Sequence, residues 1–341
     1  MAVVGGPAGA AMGTRTVSYS GFFGSLGALE QVKRSHTHCC GRSRALSPAV
    51  GARCSTNSDR NDSGTGRVSF SMNRRQGLLL SAVVPVLQAL QGSGVLQSAR
   101  AAEEEALRLE KIRSEITKAV SKGKAAGVLR LAFHDAGAFN LGTKQGGMNG
   151  SIIYELERPE STGLKRSVRV LEKVKTALEP EFAVSWADLI AVAGAESVAI
   201  CGGPKINVNL GRLDSLTPDP EGQMPEETLS ATELKHTFQQ KGFSTQEMVV
   251  LSGAHTIGNK GFGAPDIFDN TYYKTLTQKP WRDSQGKEMS SSMVGLQSDR
   301  NLTEDSECMK WVNLYAEDEN KFFLDFSRAY VKLVNTGAQW A

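Results

Sequence analysis

The chain has 341 residues, with 39 Lys and Arg against 36 Asp and Glu and a formal net charge of +3. The balance hides an asymmetry: residues 1–100 carry 11 basic and 3 acidic side chains, whereas residues 101–341 carry 28 and 33. The acidic body argues against nucleic-acid binding, which needs a concentrated basic surface, and it is long enough for one sizeable core.

The first hundred residues are rich in Ser, Arg and Gly and lack sustained periodicity. That composition predicts an organelle transit peptide. Within it, Arg74-Arg75 precede a moderately apolar run, and Ala99-Arg100-Ala101 forms an A-x-A cleavage pattern. Twin arginine, apolar core and small-residue cleavage make a bacterial-type export signal. Residues 1–101 are therefore expected to be a plastid transit peptide followed by a lumenal export signal, with the thylakoid lumen as destination and the stroma as runner-up. Pro85, Gln88, Gln91, Gly92 and Gly94 interrupt the run, so no stable membrane insertion is expected. Three of the five cysteines fall in this leader, leaving Cys201 and Cys308 in the body. Free thiols are the plainer reading, with one bridge left open.

The body, 102–341, reads as mainly α. Two helices are predicted near 102–139, "EEEALRLEKIRSEITKAVSKG" and "AGVLRLAFHDAGAF". "GLKRSVRVLEKVKTAL" ends before Pro180. "VSWADLIAVAGAESVAICGGP" opens with Ser185 and Asp188 in capping-box spacing, and "STQEMVVLSGAHTIG" repeats the device with Ser244 and Glu247. "ENKFFLDFSRAYVKLVNTG" places Phe322, Phe326, Tyr330 and Leu333 on one stripe. The best strand signal is "KINVNLG". Long Gly- and Pro-containing loops cover 142–151, 211–227 and 258–267, and loops of that length are usually functional.

Three histidines remain in the body: His134, His236 and His255. His236 lies on a polar helix and is expected to be solvated. His134 and His255 sit in apolar helical stretches, and Arg130 shares a helix face with His134. "LRLAFHDAGAF" and "VVLSGAHTIG" resemble the distal and proximal signatures of plant-type haem peroxidases. "VSWADLIAVAG", "GGP", "GR.DS", "FDN.YY", "L.SD..L" and "YAEDENKFFLDFSRAYVKL" follow in the family's order. The body lacks the eight cysteines of the secreted class, so the class I group is the better match. Within it, the ascorbate-peroxidase-related proteins of plastids are the most similar.

The resemblance implies a helical bundle in two halves enclosing one haem b. It implies that His255 is the axial ligand of the iron and that Asp299 is its hydrogen-bond acceptor. His134 is then the distal acid–base, Arg130 the cation beside it, and Phe133 packs the distal wall. It further implies that Ser161 replaces the family's distal Asn as a partner of His134, and that Thr256, with Ile267 and Asp269, retains part of a proximal cation site.

Two departures bear on function. The segment after "HTIG" is about ten residues shorter than in the family, and the family's proximal Trp and ascorbate-binding Arg are missing from "NKGFGAPDI". Phe262 is expected to fill part of that space; Trp281 lies too far on to take the role. Lys122 matches a second ascorbate contact. The expected reaction is therefore reduction of hydrogen peroxide at the expense of a small-molecule donor other than ascorbate, such as a small phenol. The alternative is a peroxidase-fold protein, with or without haem, that has a structural role in the chloroplast.

Overall fold

The computed structural model describes residues 94–281, 287, 288, 290 and 294–341. The twin arginines and the rest of the expected leader upstream of residue 94 lie outside the described residues. Ten α-helices are described: α1 Gly94–Ala119, α2 Lys122–Ala136, α3 Lys165–Leu178, α4 Trp186–Ile200, α5 Ala231–Gln240, α6 Thr245–Ser252, α7 Thr271–Thr277, α8 Gln297–Asn301, α9 Ser306–Glu317 and α10 Glu319–Asn335. None is long and apolar enough to cross a membrane.

The helices form two halves. In the first, α1 to α4 pack together around α4. Residues 187–198 of α4 are all buried, as a helix apolar on every side must be. Gly194 is required there. A Cβ at this position would lie 2.1 Å from the Tyr330 hydroxyl and 2.7 Å from the Ala132 Cβ, so α2, α4 and α10 meet without a side chain between them. In the second half, α6, α7, α9 and α10 pack around a cluster of aromatic rings. The predicted stripe on α10 is buried along its length, with Phe322, Phe326, Tyr330 and Leu333 each 4% exposed or less. The Tyr330 hydroxyl donates to the Ala191 carbonyl at 2.8 Å and ties the halves together.

Two local expectations change. "KINVNLG" forms no strand, and among the described residues there is none; only isolated bridges occur. Ile206 and Val208 do point inward while their neighbours face out, so the alternation was real. However, no second strand pairs with the segment, and Arg113 on α1 takes the Ile206 carbonyl instead. At the start of α4, Ser185 accepts from the Asp188 amide as expected. The Asp188 carboxylate does not complete the box: it accepts from the Gly211 and Arg212 amides and from the buried Arg212 guanidinium. A buried guanidinium needs a compensating charge, and that demand outranks the cap. The Ser244–Glu247 box is complete, and a second one, Ser230–Glu233, opens α5.

Candidate active site

A cavity of about 1490 Å³ lies between the two halves, bounded by α2 on one side and the end of α6 on the other. Arg130, Phe133 and His134 line it from α2; His255 and Asp299 line it from the opposite side. Leu129, Leu234, Phe238, Leu251, Phe326 and Leu333 make much of its wall apolar.

On the α2 side, positions 130 and 134 lie one turn apart, so both side chains face the cavity. The Arg130 guanidinium donates to the Glu160 carbonyl at 2.7 Å and the Thr162 carbonyl at 2.8 Å, which fixes it in place. Phe133 stacks on Phe238 and stands edge-on to His134. Burial, with the Arg130 charge adding to it, lowers the His134 pKa from 6.5 to about 3, so the imidazole is neutral at ordinary pH. Next to it, Asp135 accepts from the Gly150 and Ile152 amides and anchors the following loop to α2. Burial pushes that carboxyl up to about 8, against the effect of the two amide donors.

Ser161 is buried close to His134, but the expected direct bond is not made. The His134 Nδ1 and the Ser161 Oγ both lack a hydrogen-bond partner. Both residues line a separate pocket of about 10 Å³, roughly the space of one water molecule. A serine side chain is short, which accounts for the gap.

On the opposite side, α6 ends at Ser252 and a single 3-10 turn, Gly253–Thr256, presents His255. The His255 Nδ1 lies 2.8 Å from the Asp299 Oδ1. The same oxygen accepts from the Tyr272 hydroxyl at 2.8 Å, and the Asp299 Oδ2 accepts from the Leu296 amide at 2.7 Å. Burial alone would lower the His255 pKa; the neighbouring Asp299 carboxylate outweighs it and raises it. Burial works the other way on Asp299, and the charge of His255 with its hydrogen bond brings that carboxyl below its usual range.

Phe262 fills proximal space as expected: it is buried, 4.6 Å from the Tyr272 ring and beside Gly295. Thr256 is buried, but it does not line the cavity. Its hydroxyl donates to Asp269 at 2.9 Å, and no group of three or more His, Cys, Asp or Glu able to hold a metal ion occurs among the described residues. Trp281 donates to the Thr275 carbonyl, away from the cavity. Lys122 does not line it either; the cations that do are Arg130, Arg158 and Lys260. His236 is exposed, and Cys201 and Cys308 are buried and unpaired. Sequence reasoning missed Tyr272 and Lys260. "FDN.YY" flagged the tyrosine as a motif member without showing that its hydroxyl meets Asp299.

These residues fit a haem. With the Nδ1 of His255 engaged by a carboxylate, Nε2 is left for an axial bond, the arrangement that orients a metal-binding histidine and makes it electron-rich. The apolar walls suit a large flat macrocycle. His134 stands across the cavity beside a guanidinium, where it can exchange protons without being a ligand. One histidine prepared for iron and one kept free of it define the haem peroxidases as a class.

Comparison with known proteins agrees. Residues 110–318 match the peroxidase family, and the chain belongs to it. It is 56% identical over 279 residues to a protein of Arabidopsis thaliana named "Putative L-ascorbate peroxidase 6", covering 82% of this chain and 81% of that one. It is 38% identical over 222 residues to the cytosolic L-ascorbate peroxidase 2 of the same plant, covering 62% and 84%. It is 34% identical over 242 residues to the peroxisomal L-ascorbate peroxidase 5, also of Arabidopsis thaliana, covering 67% and 82%. The protein is thus a haem peroxidase that uses haem b and hydrogen peroxide.

Proposed function

We propose that this peroxidase oxidises small neutral phenols in preference to ascorbate, with His134 and Arg130 as the distal pair and His255 as the axial ligand. Haem b supplies the iron that takes up the two oxidising equivalents of peroxide. His255 would hold the iron, and Asp299 keeps the imidazole oriented and electron-rich. His134, neutral at working pH, accepts the proton of the arriving peroxide and returns it to the departing oxygen, so that water leaves. Arg130 stabilises the negative charge that develops as the O–O bond breaks. Phe133 limits the room for other reactions beside them.

The donor assignment rests on the mouth of the cavity. Glu221, Glu226 and Glu227 line it and are exposed; Glu221 pairs with Arg158, and Glu226 and Glu227 make no direct ion pair among the described residues. Lys260 is a point charge without the planar fork that grips an anion. An anionic donor therefore meets the unpaired carboxylates of Glu226 and Glu227, whereas a neutral aromatic one meets Phe238, Pro225 and the apolar walls. Loss of a charged contact costs about 1.5–3 kcal/mol, which lowers ascorbate turnover by about 10- to 150-fold. Steady-state kinetics with ascorbate and a small phenol at matched peroxide test this. A higher kcat/KM for ascorbate, with saturation at low concentration, would sink the assignment.

We also infer that residues 1–101 direct the protein to the chloroplast, with the thylakoid lumen as destination. Residues 97–108 of α1 are exposed and Ile112 is the first residue of α1 described as buried, so processing near Ala101 removes no residue described as buried. The mature protein recovered from plastids should begin near Ala102; a mature end upstream of Ser71 would contradict the lumenal route.

A further inference from the structure

A single file of oxidisable rings leads away from the proximal side of the site. The Tyr272 ring stands 6.2 Å from that of His255, Tyr273 is 4.9 Å further on, and Tyr315 is 5.2 Å beyond. Trp311 stacks on Tyr315 at 6.4 Å with an interplanar angle of 25°. The three tyrosines are fully buried, whereas Trp311, on α9, is part-exposed. The file thus begins beside the axial histidine and ends at the surface.

Electron transfer between rings falls steeply with distance, and these rings are in near contact. A phenol can give up an electron inside a protein only if its proton has somewhere to go, because the oxidised phenol is a strong acid. Tyr272 donates to the Asp299 carboxylate at 2.8 Å and Tyr315 to the Asp325 carboxylate at 3.0 Å. Tyr273, between them, donates to the carbonyls of Val249 and Val250, which are weak bases. The outer end of the buried file, Tyr315, is therefore equipped to hold an oxidised ring, and Tyr272 and Tyr273 to pass an electron through. The neighbouring phenylalanines 262, 268, 322 and 326 are too hard to oxidise to compete.

We propose that Tyr272, Tyr273, Tyr315 and Trp311 form an electron relay that makes the surface at Trp311 a second oxidation site, open to aromatic donors too large for the cavity. This rests on the peroxidase reading of the site but not on the choice of donor at the cavity mouth. Each event moves one electron inward. Tyr272 passes an electron to the oxidised site, and that electron is replaced through Tyr273 from Tyr315, whose own proton shifts to Asp325 and back. Trp311 refills Tyr315 and is itself refilled by the donor. Two donor molecules each lose one electron and one proton, and one hydrogen peroxide becomes two waters. The Lys310 ammonium lies 4.9 Å from the Trp311 ring and opposes a positive charge there, so it restrains the outlet.

The haem-loaded full chain should be mixed with one equivalent of peroxide, without donor, freeze-quenched and examined by electron paramagnetic resonance. A tyrosyl signal is expected, and peptide mapping should find oxidation concentrated at Trp311. In parallel, a phenol attached to a dextran too large for the cavity should be oxidised by the parent protein. Trp311→Phe should lose that turnover while keeping small-phenol turnover, and Lys310→Gln should raise it. Absence of any protein-centred radical in the parent, or full dextran-phenol turnover by Trp311→Phe, would overturn the relay. Failure of the parent to oxidise the small phenol would count against the donor assignment instead, because the radical signal decides the relay by itself.

Discussion

His134 carries the clearest consequence of its surroundings at the scale of a residue. Its pKa is lowered to about 3, first by burial and then by Arg130. A base must be neutral to act, so the peroxide reaction should stay flat as pH falls from 7 through the usual histidine value of 6.5, and decline only as pH approaches about 3. A rate that halves near pH 6.5 would mean that His134 is not the base or is not buried as described. Ser161 tests the other nitrogen. A neutral imidazole that accepts through Nε2 must carry its proton on Nδ1, and that N–H has no direct acceptor. Ser161→Asn should reach it. One buried hydrogen bond is worth about 1 kcal/mol, so the variant should react with peroxide several-fold faster, with a changed ¹⁵N shift at His134. An unchanged rate and shift would show that the side chain at 161 does not reach the imidazole.

At the scale of the elements, close approach of α2, α4 and α10 sets the distal wall. Gly194→Ala would push a methyl group against Ala132 and the Tyr330 hydroxyl. Overpacking of this kind costs about 1–3 kcal/mol, and Tyr330→Phe should restore part of it by removing the oxygen. Thermal unfolding of the single and double variants measures both effects; a single variant as stable as the parent would contradict the packing described.

Helices with strong periodicity and caps, such as α6 and α10, were legible in the sequence because their signals are local. "KINVNLG" was misread because alternation reports burial on one face and not the presence of a partner strand. Ser185 and Asp188 had box spacing, but Asp188 is recruited by Arg212, 24 residues away. The same limit applies at the site. Arg130 and His134 share a helix turn and could be paired from spacing alone. The pairing of His255 with Asp299, 44 residues apart, was available only through resemblance to a family. The meeting of Tyr272 with Asp299 was not available at all, because nothing in a motif gives the direction of a hydroxyl.

The described residues form two helical halves with one histidine lining a shared cavity from each side. The loop after His255 brings Lys260 to the cavity and Phe262 against Tyr272, and exposed glutamates line the cavity. The division of labour between the histidines is the central claim, and titration of haem b into three proteins, followed by absorbance before and after peroxide, tests it most directly. The parent should give a five-coordinate ferric spectrum that shifts on adding peroxide. His134→Leu should give the same spectrum and shift slower by about 10²–10⁴-fold, and His255→Ala should form no stable five-coordinate haem. A normal haem spectrum in His255→Ala, or an undiminished peroxide reaction in His134→Leu, would contradict the account.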